Sequence, residues 1–261
     1  MARLVLLFLL LVSASKVNAS SLCSESLGQL TCPHQEITLN GRTVRYQLPQ
    51  TTPPVDGYPV AIFFQGSVTP VLFQRTALSR FNTLYELKTI EALLNAGYAV
   101  IAPEAELGVA WYTNAPGLTY ENTSDVPFIT DLLAKIRSGD FGPINPNKKF
   151  AIGFSSGGYN ASRMAVSYPG EFKALVIQSG SYATCLGPIC NVPAVLPVNH
   201  PPTFFLHSVS DLIVPYWTMQ LYYNALQAQG FTTEASVNYL VGHGWNTEAP
   251  QKTLMWLNSV P

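Results

Sequence analysis

Residues 149–168 read KFAIGFSSGGYNASRMAVSY and decide the fold, because they join a buried strand to a helix through a tight turn. Residues 149–154 are mostly apolar, as in a strand covered on both faces, and residues 156–168 have helical spacing. The turn between them, Gly153-Phe154-Ser155-Ser156-Gly157, fits the pattern G-x-S-x-G. Small residues two positions before and after the central serine avoid a collision in such a turn, which lifts the serine hydroxyl above the sheet edge.

The same alternation of short apolar strands and helices continues on both sides of this turn. The predicted strands are residues 36–39, 42–48, 59–64, 98–102, 149–154, 174–178, 203–207 and 234–241. The predicted helices are residues 82–96, 125–137, 156–168, 214–229 and 248–257. This order predicts an α/β protein of the α/β-hydrolase fold, with a mostly parallel sheet and helices on both faces. The first two strands, separated by Asn40-Gly41, are expected to add an antiparallel hairpin at one edge.

The composition fits one domain with a large core and excludes a nucleic-acid-binding protein. Of the 261 residues, 48% are hydrophobic and only 11% are charged, and the formal net charge is −1. Single α/β domains often reach this length. A nucleic-acid partner would require a basic surface, which this charge balance does not supply. We therefore expect a single domain over residues 20–261.

Residues 1–19 have the features of a cleaved signal peptide. The segment starts with a positive charge, residues 4–12 form an unbroken apolar run, and Val17 and Ala19 have the spacing that signal peptidase recognises. The apolar run is too short to span a bilayer. Cleavage is expected after Ala19, with Ala14 as an alternative. The mature protein is therefore expected to be secreted, without a stable membrane anchor.

The cysteine pattern agrees with export. The four cysteines are Cys23, Cys32, Cys185 and Cys190, and they allow three pairings. Disulfides form in oxidising compartments, where they commonly close small loops. The predicted pairing therefore joins sequence neighbours, Cys23 with Cys32 and Cys185 with Cys190. Neither pair has C-x-x-C spacing and no histidine cluster lies beside them, so no metal site is expected.

Ser155 is predicted to be a nucleophile in preference to Ser156. With Ser156 at the centre of the turn, Phe154 would stand two residues earlier, where there is no room for a ring. A serine hydroxyl is a weak nucleophile until a base takes its proton. In this fold the partners follow in the order serine, acid, histidine, so both must lie later in the chain.

One acid stands at the right place for this role. The acids between the serine and the last histidine are Glu171, Asp211 and Glu234. Asp211 follows the predicted strand at residues 203–207, at the carboxyl edge where active sites of open α/β sheets form. Glu171 lies close behind the nucleophile helix in a solvated turn, and Glu234 opens a strand at its exposed end. Asp211 is therefore the predicted acid.

His243 is the predicted base. It lies in Gly242-His243-Gly244-Trp245, a flexible loop after the last predicted strand. His34 precedes the serine, and His207 ends a strand and would leave only Glu171 as its acid. His243 would accept the proton of Ser155 and return it to the leaving group. Asp211 would fix the imidazole tautomer and stabilise the imidazolium.

An oxyanion formed at Ser155 needs two donors that are already in place. The first predicted donor is the N–H of Ser156, the residue after the nucleophile. The second is expected from the loop after the strand at residues 59–64, which reads Gln65-Gly66-Ser67. Gly66 allows the backbone to approach closely, and the N–H of Ser67 is the preferred choice.

The residues around the nucleophile resemble a known family, the extracellular medium-chain-length polyhydroxyalkanoate depolymerases. The similar stretches are IGFSSGGYN at 152–160, SRMA at 162–165, QSGSYATC at 178–185, GP at 187–188 with Cys190, NHPPT at 199–203, FLH at 205–207 and DLIVP at 211–215. The resemblance covers residues 59–245. It implies a secreted, cofactor-free serine esterase that cleaves bacterial storage polyesters, with Ser155, Asp211 and His243 as its triad.

Other functions share these residues. A general carboxylesterase, a cutinase-like enzyme or a lipase would have the same triad and a different pocket, and a peptidase of the same fold is a further alternative. A secreted binding protein on a hydrolase scaffold would not use the triad at all. The sequence has no appended polymer-binding domain, so a polyester partner is expected to bind the domain's own surface. The aromatic candidates for that contact are Trp111, Tyr112, Tyr216, Trp217 and Trp245.

Overall fold

The computed structural model describes residues 22–261, and the predicted signal peptide at residues 1–19 lies outside the described residues. The strands are β1 (Ser24–Ser26), β2 (Gln29–Thr31), β3 (Gln35–Leu39), β4 (Arg42–Gln47), β5 (Tyr58–Phe64), β6 (Gln74–Thr76), β7 (Ala99–Pro103), β8 (Ile144–Phe154), β9 (Ala174–Gln178), β10 (Thr203–Ser208) and β11 (Thr233–Asn238). The helices are α1 (Thr83–Asn95), α2 (Asp125–Ser138), α3 (Ser156–Ser167), α4 (Tyr216–Ala228) and α5 (Ala249–Ser259).

An eight-stranded sheet forms the centre of the molecule. Its strand order is β11-β10-β9-β8-β5-β7-β4-β3. The six strands from β11 to β7 in this order are parallel to one another. Strands β4 and β3 pair in antiparallel fashion at one edge, where the sequence predicted a hairpin. The α/β prediction is confirmed.

Helices cover both faces of this sheet. Along β5, Val60, Ile62 and Phe64 pack into one apolar cluster, with residues of α2, α3 and α4. Ala61 and Phe63 point the other way and pack into a second cluster, with residues of α1 and α5. Burial on both faces explains why β5 reads as a continuous apolar run. Within residues 22–261, no helix combines the length and apolarity needed to cross a bilayer.

A second, smaller sheet was not predicted from the sequence. It contains β1, β2 and β6 in that order, with antiparallel pairing. Each of these strands has only three residues, too few for a periodic pattern to be recognised. The disulfide between Cys23 and Cys32 closes this unit, and the N–H of Cys32 donates to Phe73 O at 2.8 Å.

The parallel strands bring four loops together at one edge of the sheet. Because β5, β8, β10 and β11 run in the same direction, the segments that follow them leave the sheet on the same side. These segments contain Ser67, Ser155, Asp211 and His243 respectively. The fold therefore gathers at one edge residues that are far apart in the chain.

Candidate active site

The turn between β8 and α3 holds Ser155 in a strained conformation. Ser155 has φ 54° and ψ −118°, and its N–H donates to Gln178 O at 3.0 Å. A Cβ atom at Gly153 would lie 1.9 Å from Gly157 O, and one at Gly157 would lie 1.9 Å from Phe64 O. Only glycine fits at both positions. Such strain persists where the surrounding structure enforces it, as in a turn that presents a reactive side chain.

Ser155, His243 and Asp211 form one hydrogen-bonded chain. The Ser155 hydroxyl is 2.9 Å from His243 Nε2, and His243 Nδ1 is 2.8 Å from Asp211 Oδ2. With Nδ1–H donating to the carboxylate, Nε2 is free to accept the serine proton. The Asp211 side chain is fully buried and that of His243 nearly so. The three residues predicted from chain order therefore meet with the geometry that nucleophilic catalysis requires.

The surroundings of Asp211 keep its carboxylate ionised. Burial alone would raise the pKa of Asp211, but hydrogen bonds from His243 and Val214, with the Coulombic attraction of His243 and His207, hold that pKa below its ordinary value. Its second oxygen, Oδ1, accepts the N–H groups of Ile213 at 2.9 Å and Val214 at 2.8 Å. Asp211 therefore has one oxygen for His243 and one fixed by its own loop.

The alternative acids and bases lie elsewhere. Glu171 forms ion pairs at 3.0 Å with Arg137 and with Lys149, and Lys149 lies in β8 several residues before the nucleophile turn. Glu234 is the second residue of β11, far from that strand's carboxyl end. His207 is buried, and its Nε2–H donates to Val214 O at 2.8 Å, so this nitrogen is not available to the serine. Burial also lowers the pKa of His207.

The loop after β5 provides the candidate second oxyanion donor. Ser67 lines the same cleft as Ser155 and Ser156. In this turn the N–H of Val68 donates to Val109 O at 2.7 Å and that of Thr69 to Gly66 O at 3.2 Å, so both are occupied. Within the described residues, the N–H groups of Gly66 and Ser67 have no backbone acceptor, so both are candidate donors to an oxyanion, and that of Ser67 is the choice preferred from the sequence. Gly66 has a steric role, since a Cβ atom there would lie 2.6 Å from the ring of Phe154.

Phe154, the residue before Ser155, packs against the ring of His243. Its ring centroid is 5.0 Å from that of His243, 5.9 Å from that of Phe81 and 6.2 Å from that of Trp245. Phe81 also meets His243 edge to face at 5.7 Å. These aromatic rings restrict the tilt of the imidazole and shield it from water. This contact could not be predicted from the sequence, because Phe81 lies far from Phe154 and His243 in the chain.

Gln178 clamps the loop that carries His243. This fully buried side chain stands at the carboxyl end of β9. Its Nε2 donates to Gly244 O at 2.9 Å, and its Oε1 accepts the N–H of Asn246 at 3.1 Å. In addition, Trp245 N–H donates to Phe81 O at 2.8 Å. Three hydrogen bonds thus fix the backbone immediately after His243.

We expect Gln178→Met to lower kcat for ester hydrolysis by about 10- to 100-fold, because a small displacement of His243 breaks its alignment with Ser155. KM for a small soluble ester should change little, since Gln178 does not line the cleft. Labelling by a fluorophosphonate should slow in parallel. The control is Gln47→Met, at a buried glutamine whose amide makes no hydrogen bond within residues 22–261. Equal losses in the two variants would show a general effect on stability instead.

An apolar cleft of about 780 Å³ opens at Ser155. One wall is formed by residues 106–116, and another by residues 186–189, which the disulfide between Cys185 and Cys190 closes into a short loop. The Trp111 N–H donates to Ser156 Oγ at 3.1 Å and its indole N–H to Gln65 O at 3.1 Å, so the first wall is tied to the nucleophile turn. Within the described residues, no group of three His, Cys, Asp or Glu side chains is placed to hold a metal ion.

The solved structures of similar fold include a carboxylesterase and an alpha/beta hydrolase enzyme. The Bacillus cereus carboxylesterase aligns with a TM-score of 0.59 at 15% identity, covering 84% of this chain and 95% of that chain. An alpha/beta hydrolase enzyme from a Medee basin deep-sea metagenome library aligns with a TM-score of 0.58 at 16% identity, covering 87% of this chain and 97% of that chain. At such identities the likeness shows the α/β-hydrolase fold alone.

Sequence comparison is more specific. The model of the family described as "Putative esterase" matches residues 37–226. The poly(3-hydroxyoctanoate) depolymerase of Pseudomonas fluorescens is 46% identical over 257 residues, covering 93% of this chain and 92% of that protein. Both matches include the nucleophile turn and most of the sheet. The chain therefore belongs to the esterase family of the α/β-hydrolase fold that includes this depolymerase.

Proposed function

We propose that this chain is a secreted serine esterase that hydrolyses medium-chain-length polyhydroxyalkanoates through an acyl-enzyme on Ser155. The observation that carries the proposal is the hydrogen-bonded chain from Asp211 through His243 to Ser155, of which Ser155 lines an apolar cleft. The choice of substrate is supported by the 46% identity to a poly(3-hydroxyoctanoate) depolymerase.

Acylation starts when Ser155 Oγ attacks the carbonyl carbon of an ester in the cleft. His243 Nε2 takes the serine proton as the new C–O bond forms, and the Asp211 carboxylate stabilises the resulting imidazolium. The carbonyl oxygen becomes an oxyanion and accepts hydrogen bonds from the N–H groups of Ser156 and Ser67. Each such donor typically lowers the barrier by about 3 kcal/mol.

Collapse of this intermediate breaks the ester C–O bond and completes the first half of the reaction. The departing hydroxyl end takes the proton from His243, and the acyl group remains on Ser155. Water then enters, gives a proton to His243 and attacks the acyl carbon through a second oxyanion. The carboxylic acid leaves, and Ser155 recovers its proton from His243. No step requires a cofactor.

The lining of the cleft suits long alkyl side chains. Val109, Pro116, Leu186 and Ile213 are among the residues around it, and Glu106 is the one charged member of this lining within the described residues. Each buried methylene contributes about 0.8 kcal/mol. A polyester with longer side chains therefore gains more from this cleft than one with methyl side chains.

Two features support secretion. Residues 1–19 have the pattern of a signal peptide, and the four cysteines form two disulfides, which persist in oxidising compartments.

Polymer clearing tests the proposed substrate. The purified protein should clear granules of poly(3-hydroxyoctanoate) and leave poly(3-hydroxybutyrate) largely intact, because the shorter side chain buries less apolar surface. The Ser155→Ala variant serves as the blank for both polymers. Hydrolysis of soluble p-nitrophenyl esters without clearing of either polymer would point to a general carboxylesterase. Failure of a fluorophosphonate to label the wild type would point to a binding protein.

A further inference from the structure

The aromatic residues that the sequence suggested for polymer contact do not form a binding surface. Trp111 and Trp245 are buried, with exposed fractions of 2% and 0%. Tyr112 and Tyr216 are only partly exposed, and Trp217 alone of the five is strongly exposed. The indole of Trp111 instead fastens the cleft wall to Gln65. A surface for the polymer must therefore be sought among other side chains.

Aliphatic side chains surround the mouth of the cleft. We call this group the apolar rim. Five of its members both line the cleft and are exposed to solvent, namely Leu107, Val109, Leu186, Ile189 and Ile213. Two more extend it outward, since Leu212 precedes Ile213 and the N–H of Val68 donates to Val109 O. The exposed fractions of the seven range from 40% to 92%.

The apolar rim is uncharged. The neighbouring carboxylate of Glu106 is paired with Arg42 at 3.3 Å and accepts a hydrogen bond from Ser124. The guanidinium of Arg42 is itself buried against Asp125, so it presents no free charge. Several exposed apolar side chains around one opening, with no free charge among them, mark a place of contact. Its match is a partner that is apolar and uncharged.

Folding does not account for these side chains. Leu107 and Val68 have φ values of 54° and 50°, in the left-handed region that glycine and asparagine occupy at lower cost. Their exposed fractions are 89% and 67%, so they bury little of their own surface in the domain. An asparagine at either position would suit the backbone better. The hydrophobic side chains there are instead available for contact outside the domain.

We propose that the apolar rim is the surface through which the protein adsorbs to a solid, uncharged polyester. The inference rests on the proposed function, since it takes the polymer as the partner. Its basis is continuity: the rim surrounds the opening that leads to Ser155, so adsorption through it places the polymer surface directly over the cleft. A chain segment at that surface then has only a short path to the nucleophile.

Adsorption can be measured without hydrolysis in the Ser155→Ala background. Isotherms on poly(3-hydroxyoctanoate) film would be compared for this parent and for the added changes Leu107→Asn and Leu212→Asn. Each change should weaken adsorption by about tenfold, as expected for loss of one buried leucine side chain. The matched control is Leu27→Asn, since Leu27 has φ 52° and is fully exposed but lies in the turn between β1 and β2. It should adsorb like the parent.

Leu212→Asn in the active protein, at a rim position outside the cleft lining, separates this inference from the proposed function. The ratio of film hydrolysis to soluble-ester hydrolysis should fall about tenfold. If adsorption depends on the apolar rim but the active protein releases no hydroxyalkanoic acids, the rim is supported as the adsorption surface and the proposed function is wrong. If adsorption is unchanged in the rim variants, or is reduced equally by Leu27→Asn, the apolar rim is not the adsorption surface. A dimer, detected by light scattering, that the rim changes convert to monomer would also contradict the inference, because the rim would then join two copies of the chain.

Discussion

Ser155→Ala is expected to lower kcat for ester hydrolysis by about four orders of magnitude or more, because Ser155 Oγ is the hydroxyl that is hydrogen-bonded to His243 Nε2. The fold should be kept, since within residues 22–261 the one hydrogen bond of the Ser155 side chain is that to His243. The measurement is kcat on a soluble p-nitrophenyl ester, together with labelling by a fluorophosphonate, which should disappear. Circular dichroism checks that the variant is folded.

Ser156→Ala is the matched control, since the two serines are neighbours and both line the cleft. Its backbone N–H remains as an oxyanion donor, so kcat should fall far less, by about tenfold at most. The change removes the acceptor of the Trp111 N–H, which ties residues 106–116 to the nucleophile turn. We therefore expect its main effect in KM for bulky esters. An inactive Ser156 variant beside an active Ser155 variant would show that the nucleophile has been misassigned.

The arrangement of the three residues could be predicted because parallel strands impose it. Once the G-x-S-x-G turn is placed after a strand, every later strand of the parallel sheet ends at the same edge. Asp211 follows β10 and His243 follows β11, so chain order was enough to bring both close to Ser155. The need for glycine at the two outer positions of the turn could also be predicted. A side chain at Gly153 would collide with Gly157, and one at Gly157 would collide with Phe64 on the neighbouring strand.

The contacts that support the site could not be predicted in this way. Gln178 reaches Gly244 and Asn246 across more than sixty residues, and Phe154 meets Phe81 across a similar distance. Such pairs depend on how loops pack, and no periodic pattern encodes that packing. The cleft wall at residues 106–116 has no long helix or strand, so the sequence carried no signal for it either.

The sequence also did not show which individual side chains are exposed to solvent. Asn122 and Asn160 each begin a sequence of the form N-x-S/T, the acceptor pattern for N-glycosylation, and nothing in the sequence distinguishes the two. Asn122 is exposed, whereas Asn160 is fully buried within α3, where no glycan could be accommodated. The same limitation explains why four of the five aromatic residues predicted for polymer contact are buried or only partly exposed. Composition identifies side chains able to bind an apolar partner, but only packing decides which of them reach the surface.

The role of Asp211 depends on how its carboxylate is oriented. Oδ1 accepts N–H groups from Ile213 and Val214, and Oδ2 accepts Nδ1–H of His243. An asparagine at this position would keep its carbonyl oxygen toward the two N–H donors, because an amide NH₂ cannot face them. Its NH₂ would then point at His243 Nδ1 and donate to it. The histidine would be held in the tautomer that carries its proton on Nε2, which cannot accept a proton from Ser155.

Asp211→Asn is therefore expected to lower kcat near neutral pH by about 10⁴-fold, the size of effect that the wrong tautomer produces in a serine triad. The fold should be retained, since the two loop hydrogen bonds are kept. The measurement is kcat on a soluble ester with the melting temperature recorded in parallel. Asp140→Asn, at an exposed carboxylate paired with Lys135, is the control and should keep full activity. A folded Asp211→Asn protein with near-normal kcat would mean that His243 does not depend on Asp211. Since Glu171 and Glu234 lie away from this edge, no other acid between Ser155 and His243 could then take its place.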